Sequence, residues 1–135
     1  MAAALSADLS AFLPWDRPDD VAAFLRDVHP QVTLISKLDV WPEFILAAKA
    51  AGVRVGLIGA TVRPGSGRLG RLARAMTHAA YASLDVVAAV DTADVARLEV
   101  LGVRPSALAV LGDPRADAVI ERMQQQGSAL LTPQL

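Results

Sequence analysis

Short β-branched segments alternate with helical segments along most of this chain, and no other feature constrains its fold as much. Strands are predicted at 32–36, 53–58, 86–90 and 108–111, and helices at 16–28, 41–51, 66–83, 92–101 and 115–126. Strands joined by helical crossovers pair in parallel, because each crossover returns over a face of the sheet with right-handed sense. The sequence predicts a single α/β domain with a Rossmann-like, doubly wound parallel sheet.

Composition narrows the class of protein. A chain of 135 residues with 53% hydrophobic side chains has enough apolar surface to form one packed core. Because cysteine is absent, disulfides, thiolate metal sites and cysteine nucleophiles are excluded. The first residues lack the pattern of a signal peptide, and no apolar run approaches the roughly 18 residues that a membrane span needs. A cytoplasmic protein is expected.

The net charge of −1 hides a strong asymmetry along the chain. Residues 1–43 hold three basic and seven acidic side chains, and residues 85–135 hold four and seven. Between them, residues 44–84 carry six basic side chains and no acidic one; we call this stretch the basic segment. Four of the six are arginines at positions 63–74, and guanidinium groups bind phosphate in a bidentate manner. A partner that carries phosphate is favoured over a merely solvated helix face.

Ligands of doubly wound folds bind beyond the carboxyl ends of the strands, so the loops at 37–41, 59–66, 91–92 and 112–115 form the candidate site. In the first loop, Asp39 and Trp41 have two interpretations: an acid and a ring that hold a sugar, or a helix cap and a core side chain. In the last loop, Asp113 is placed to cap a helix that Pro114 begins.

Gly65, Gly67 and Gly70 match the G-x-G-x-x-G pattern of dinucleotide-binding loops. The match starts several residues after its strand, whereas that fingerprint follows its strand directly. The alternative is a flexible glycine-rich loop that leads into an arginine-bearing helix.

His29 and His78 have no plausible nucleophile or metal partner, so the sequence predicts no catalytic residue, no metal site and no cofactor within this chain.

Four motifs together resemble those of the 3-deoxy-D-manno-octulosonic acid (Kdo) transferases, in the same order and spacing: FLPWD at 12–16, ISKLDVWP at 35–42, LIGATVRPGS at 57–66 and VLGDPRAD at 110–117. The resemblance covers about residues 11–122. It implies a fragment of the N-terminal, acceptor-side domain of a two-domain GT-B glycosyltransferase, or a partial half of that fold. This domain would span 9–126, and 127–135 would be a tail or the start of an interdomain linker.

Kdo transferases move Kdo from CMP-Kdo to a phosphorylated lipid A precursor in lipopolysaccharide biosynthesis, at the cytoplasmic face of the inner membrane. The resemblance therefore implies a glycolipid acceptor and an anionic membrane surface as partners, and no nucleic acid. The implied acceptor-binding residues are Asp39, Trp41, Arg63, Ser66, Arg68 and Arg71. The implied strand-end loop at the domain interface contains Gly112, Asp113 and Arg115.

The chain also departs from the family pattern. Lys37 stands where the family has a glutamate, and the arginine of the next motif is displaced by two positions, to Arg63. The family's general-base glutamate and its CMP-Kdo domain are expected to lie outside these 135 residues, so the chain alone is not expected to turn over substrate. Two other functions stay open: a non-catalytic anion-binding module, and a dinucleotide-binding domain of an oxidoreductase.

Overall fold

The computed structural model describes residues 8–37, 40–116, 119–120 and 122–123. Its elements follow one another as α1 (Pro18–Val28), β1 (Val32–Ser36), α2 (Pro42–Ala50), β2 (Arg54–Ala60), α3 (Arg71–Ser83), β3 (Val86–Ala89), α4 (Thr92–Leu101) and β4 (Leu108–Val110). Two 3-10 turns, Gly67–Leu69 and Pro105–Ala107, precede α3 and β4.

The strands form one parallel sheet in the order β1-β2-β3-β4. All three crossovers step in the same direction across this sheet, so right-handed connections place α2, α3 and α4 on the same face. The helices touch one another in series, α1 with α2, α2 with α3, and α3 with α4. The predicted Rossmann-like α/β fold is confirmed, and within the described residues the helices form a single layer.

The core lies between this helical layer and the sheet. Val55, Leu57 and Val87 are fully buried strand residues whose side chains face the helices. Ile45 of α2 and Leu98 of α4 are equally buried on the other side of the core. Each such side chain contributes about 1.5–3 kcal/mol through removal of apolar surface from water.

Local signals place some helix ends correctly and others not. Helix α4 has the predicted bounds of 92–101: Asp91 caps it by accepting from the Asp94 N–H at 2.7 Å, and Gly102 ends it at a φ of 114°. The predicted helix at 66–83 is broken, because Gly70 is extended (φ −62°, ψ 147°) and α3 begins only after it. The predicted helix at 115–126 and the tail at 127–135 lie partly or wholly outside the described residues.

The Asp16 carboxylate caps a different helix from the one that the sequence predicts. The sequence predicts that it caps α1, but the N-cap of α1 is Arg17, which makes no capping side-chain bond. The Asp16 carboxylate instead accepts from the N–H groups of Glu43 (3.1 Å) and Phe44 (2.8 Å), in the first turn of α2. Asp16 therefore ties the segment before α1 to a helix 27 residues further on.

Asp16→Ala should lower the free energy of unfolding by about 0.5–2 kcal/mol, because two helical N–H groups lose their acceptor. Urea denaturation followed by circular dichroism measures this change. Asp8→Ala, which removes an exposed carboxylate outside any helix, is the control and should leave the midpoint unchanged. Equal effects of the two substitutions would contradict the capping role.

Candidate anion-binding site

A cavity of about 420 Å³ opens at the carboxyl ends of β1 and β2, and we call it the basic cavity. Its lining consists of Lys37, Thr61, Arg63, Pro64, Gly65, Ser66 and Arg68. Three of these seven side chains are cationic and none is acidic. The cavity therefore has the charge and hydrogen-bonding groups to hold an anion.

Backbone geometry brings the two sides of the cavity together. Lys37 follows β1 in the left-handed region (φ 63°), and its N–H donates to the Ile58 carbonyl of β2 at 2.8 Å. That bond extends the pairing of β1 and β2 by one residue and holds Lys37 beside the loop that follows β2. The sequence singled out Lys37 only as a departure from the family pattern.

The loop after β2 is compact. The Ser66 N–H donates to the Arg63 carbonyl at 3.1 Å, and Gly65 between them has a φ of 74°. The Ser66 carbonyl accepts from the Leu69 N–H at 2.9 Å, while its hydroxyl accepts from the Arg68 N–H at 3.4 Å. This turn brings Arg63 and Arg68 to the same cavity, with Ser66 between them.

A buried carboxylate fixes the start of this loop. Asp94 of α4 is 2% exposed and accepts from the Val62 N–H at 2.7 Å and the Thr61 hydroxyl at 3.3 Å. Arg97, one turn further along α4, donates to the Val62 carbonyl at 3.0 Å. Helix α4 thus holds both backbone polar groups of Val62, which lies between two residues that line the basic cavity.

Sequence reasoning missed Asp94, because an acid in the first turn of a helix is ordinary wherever it favours the helix dipole. No pattern in the sequence distinguishes this aspartate from an exposed one. Only the packing of α4 against the loop after β2 reveals its role.

The cations of the basic cavity take no part in the ion pairs of the described residues. The four ion pairs found in the described part of the chain are Arg17–Asp20, Lys49–Asp85, Arg97–Asp94 and Arg115–Asp113. Of the basic segment, only Lys49 takes part in them, at 2.6 Å from Asp85. The basic cavity therefore collects positive charge that these ion pairs do not balance.

The predicted acceptor-binding residues separate into groups. Arg63, Ser66 and Arg68 line the basic cavity together. Arg71 lines a neighbouring depression of about 270 Å³ with Arg74, Ala75 and His78 on α3.

Trp41 does not line the basic cavity. It is 39% exposed and lies at the start of α2, where it lines a separate groove along β1 with Leu13 and Phe44. Asp39 lies outside the described residues.

The loop at 112–115 approaches the carboxyl end of β2, where Pro114 Cδ lies 3.6 Å from the position of a Cβ atom at Gly59. The Arg115 side chain contacts Asp113 in a bidentate manner, with Nε at 2.9 Å from Oδ1 and an NH2 nitrogen at 2.6 Å from Oδ2. These bonds lower the pKa of Asp113 to about 2, and the Lys37 charge contributes in the same direction. Gly112 has a φ of 82°, in the left-handed region that glycine adopts without steric cost.

The glycine pattern does not form a dinucleotide-binding turn. Strand β2 ends at Ala60, five residues before Gly65, and the pattern itself contains a 3-10 turn and the extended Gly70, so α3 begins only after its last glycine. A pyrophosphate bound as in Rossmann folds needs a helix that starts directly after the strand. In the described ranges, no group of three or more His, Cys, Asp or Glu side chains is arranged to hold a metal ion.

Comparison with known proteins gives a family and a fold. A family model described as 3-deoxy-D-manno-octulosonic-acid transferase (kdotransferase) matches residues 1–118. A 3-deoxy-D-manno-octulosonic acid transferase from Bordetella pertussis is 35% identical over 115 residues, which are 84% of this chain and 26% of that protein. The chain thus spans about a quarter of the length of this relative.

A crystal structure of UDP-N-acetylglucosamine 2-epimerase superposes with a TM-score of 0.56. It is 18% identical, and the match covers 76% of this chain and 29% of that chain. This likeness concerns the fold alone, and it supports a partial Rossmann-like half of a GT-B fold.

Arg115→Gln should raise the pKa of Asp113 from about 2 toward the ordinary value of about 3.9, because the bidentate partner is lost. Since folding lowers this pKa, the stabilisation from the pair is complete above about pH 3.9 and is lost as the pH falls through about 2. Carbon-13 NMR titration of the Asp113 carboxyl measures the midpoint. The control, Arg26→Gln on α1, should leave it unchanged; a midpoint near 3.9 in the unmodified chain would contradict the pair.

Proposed function

The chain belongs to the 3-deoxy-D-manno-octulosonic-acid transferase family, and we propose that it is an acceptor-side glycosyltransferase domain that binds a phosphorylated lipid A precursor. In this proposal the precursor accepts Kdo from CMP-Kdo in lipopolysaccharide biosynthesis. The domain itself supplies the acceptor site, and the CMP-Kdo site belongs to a second domain. The basic cavity is the observation that carries the proposal.

The chemistry of the basic cavity fits a phosphate monoester. Arg63 and Arg68 present planar N–H donors that match phosphate oxygens, and Lys37 adds a compact charge on the opposite side. The Ser66 hydroxyl, which accepts from the Arg68 N–H, keeps its own proton to donate to a phosphate oxygen. Because α4 holds the loop through Val62, little conformational entropy is lost when an anion binds.

Among the residues that the structure describes, the lining of the basic cavity contains neither a carboxylate nor a histidine. Deprotonation of an acceptor hydroxyl needs such a group within hydrogen-bonding reach. We therefore assign the basic cavity to acceptor binding and not to catalysis. A purely binding function of this chain is the second candidate, and the same absence of a base favours it.

Arg71 and Arg74 belong to a different part of the proposal. They lie on α3 beside His78, and the neighbouring apolar side chains Leu72 and Met76 are 77% and 72% exposed. Basic and apolar side chains on one helix surface favour an anionic membrane, at about 1 kcal/mol for each well-placed cation. We propose that α3 faces the cytoplasmic leaflet of the inner membrane while the basic cavity receives the acceptor.

None of the helices in the described ranges is both long enough and apolar enough to span a bilayer. The attachment that we propose for α3 is peripheral and depends on charge. Trp41 lies in a separate groove and Asp39 lies outside the described residues, so the acceptor-binding roles of both stay predictions.

The double substitution Arg63→Ala and Arg68→Ala should weaken binding of a bisphosphorylated lipid A precursor at least tenfold. Hydrogen bonds to charged groups contribute about 1.5–3 kcal/mol each, and 1.4 kcal/mol is a factor of ten. Calorimetry with the precursor in neutral detergent micelles measures the affinity, which should also fall as salt rises.

The matched control is Arg17→Ala with Arg26→Ala, which removes two exposed arginines at the start and end of α1. It should leave the affinity within twofold of that of the unmodified chain. A precursor without phosphates should bind the unmodified chain and the Arg63→Ala, Arg68→Ala variant with affinities within twofold of each other. Affinity that is unchanged by the loss of Arg63 and Arg68 would refute the acceptor site.

A further inference from the structure

One side of α3 carries a basic depression of about 270 Å³, and we call it the α3 depression. Its lining residues lie three or four positions apart and so project from one side of the helix: Arg71, Arg74, Ala75 and His78. Two of these four residues are cations, none is acidic, and Ala75 adds no polar group. The depression is therefore a basic site that a single helix forms.

Arg74 holds a buried N–H group without an acceptor. Its Nε atom has no hydrogen-bond partner among the described residues. Buried polar groups are almost always paired, so such an atom needs an explanation. The Tyr81 hydroxyl is in the same state, but it lies in the core, and a hydroxyl can both donate and accept. A guanidinium group only donates, so the partner that Arg74 lacks is an acceptor.

The surroundings of Arg74 in the chain provide no carboxylate for this role. Helix α3 contains no Asp or Glu, and neither does the rest of the basic segment. Within the described ranges, the four ion pairs include neither Arg71 nor Arg74. These ion pairs thus leave two neighbouring guanidinium groups unbalanced. An anionic ligand would supply both the opposite charge and the acceptor.

Helix α4 fixes the position of His78. Gly102 ends α4 at a φ of 114°, and a Cβ atom there would lie 2.7 Å from Cδ2 and 3.0 Å from Nε2 of His78. The imidazole ring therefore packs directly on the backbone of Gly102, at a distance that only a glycine permits. This contact holds the ring at the α3 depression, where it can add a hydrogen bond to a ligand.

The size and the donors of the α3 depression fit a phosphate group. Guanidinium groups match phosphate oxygens with planar pairs of N–H donors. A volume of about 270 Å³ lies below the roughly 300–1,000 Å³ of pockets that enclose a drug-sized molecule, so a phosphate group fits better than a whole sugar ring. Leu72 and Met76 of the same helix are 77% and 72% exposed, which favours a phosphate presented at a lipid surface.

We infer that the α3 depression is a second phosphate site, distinct from the basic cavity, and that it takes a phosphate monoester carried by a lipid. The two sites share no lining residue: Arg68 belongs to the basic cavity and Arg71 to the α3 depression, with the extended Gly70 between them. The phosphate site follows from the contacts of α3 and α4, while its lipid source rests on the proposed function. Because it holds fewer cations than the basic cavity, inorganic phosphate should fill it at higher concentrations.

Arg74→Lys tests this inference, because lysine keeps the charge but lacks the Nε donor and the planar fork. The substitution is made in the variant with Arg63→Ala and Arg68→Ala, in which the basic cavity has lost its guanidinium groups. Titration with inorganic phosphate is followed by amide NMR. Phosphate should shift the amides of residues 71–78 in that variant, and Arg74→Lys should weaken this binding at least fivefold. Arg26→Lys, at an exposed position of α1 outside both sites, is the control and should change the affinity less than twofold.

Either of two results would overturn the inference. One is a titration in which phosphate causes no shifts at residues 71–78. The other is an affinity that Arg74→Lys leaves unchanged or lowers no more than Arg26→Lys does, since attraction by charge alone would survive both substitutions. The acceptor site is tested by the loss of Arg63 and Arg68 from the unmodified chain, so the two proposals fail independently.

Two further arms identify the lipid that supplies the phosphate, and both use Arg74→Lys in the otherwise unmodified chain. Phosphatidylcholine vesicles that contain phosphatidic acid present a headgroup monoester, and at least fivefold weaker binding to them would assign the site to a membrane headgroup. Neutral detergent micelles present lipid A precursors with one or two phosphates. Loss of the preference for the bisphosphorylated precursor would assign the site to the second phosphate of the acceptor. Binding that stays unchanged in both arms would overturn the inference of a phosphate carried by a lipid.

Discussion

The basic cavity depends on the hydrogen bonds that join Asp94 and Arg97 of α4 to the backbone of Val62. Val62 is fully buried, and Asp94 and Arg97 satisfy its N–H and carbonyl at 2.7 and 3.0 Å. A buried backbone group without a partner costs about 1–3 kcal/mol, so the loop after β2 has a strong reason to keep this path. Thr61 and Arg63, on either side, are positioned as a consequence. Cations that repel one another are thereby held together before any anion arrives.

The two surfaces of the domain serve different purposes. The basic cavity lies at the carboxyl ends of β1 and β2, where ligands of open α/β sheets bind. The face of the sheet away from the helices is apolar, with Leu34, Ile58 and Val86 exposed. Strand β1 belongs to both surfaces, because Lys37 directly after it lines the cavity and Leu34 within it lies on the apolar face.

Local chemistry explains what the sequence could predict. The ends of α4 were predicted correctly, because helix-end signals such as the left-handed Gly102 act within a few residues. Arginine clustering drew attention to Arg63 and Arg68, which line one cavity, although their acceptor role stays a prediction. Asp16 was misjudged and Asp94 was missed, since their hydrogen-bond partners are 27 or more residues away. The exposed apolar face of the sheet was also missed, because aliphatic strands give the same pattern whether their second face is covered or exposed.

Mapping of phosphate binding by amide NMR tests the central claim, a preformed anion site held by α4. On titration with inorganic phosphate, the largest shifts should occur at the amides of Lys37, Arg63 and residues 65–68. Asp94→Asn should weaken phosphate binding severalfold while the rest of the spectrum stays that of the folded chain. Largest shifts at residues 71–78, or phosphate affinity unchanged in Asp94→Asn, would contradict the account.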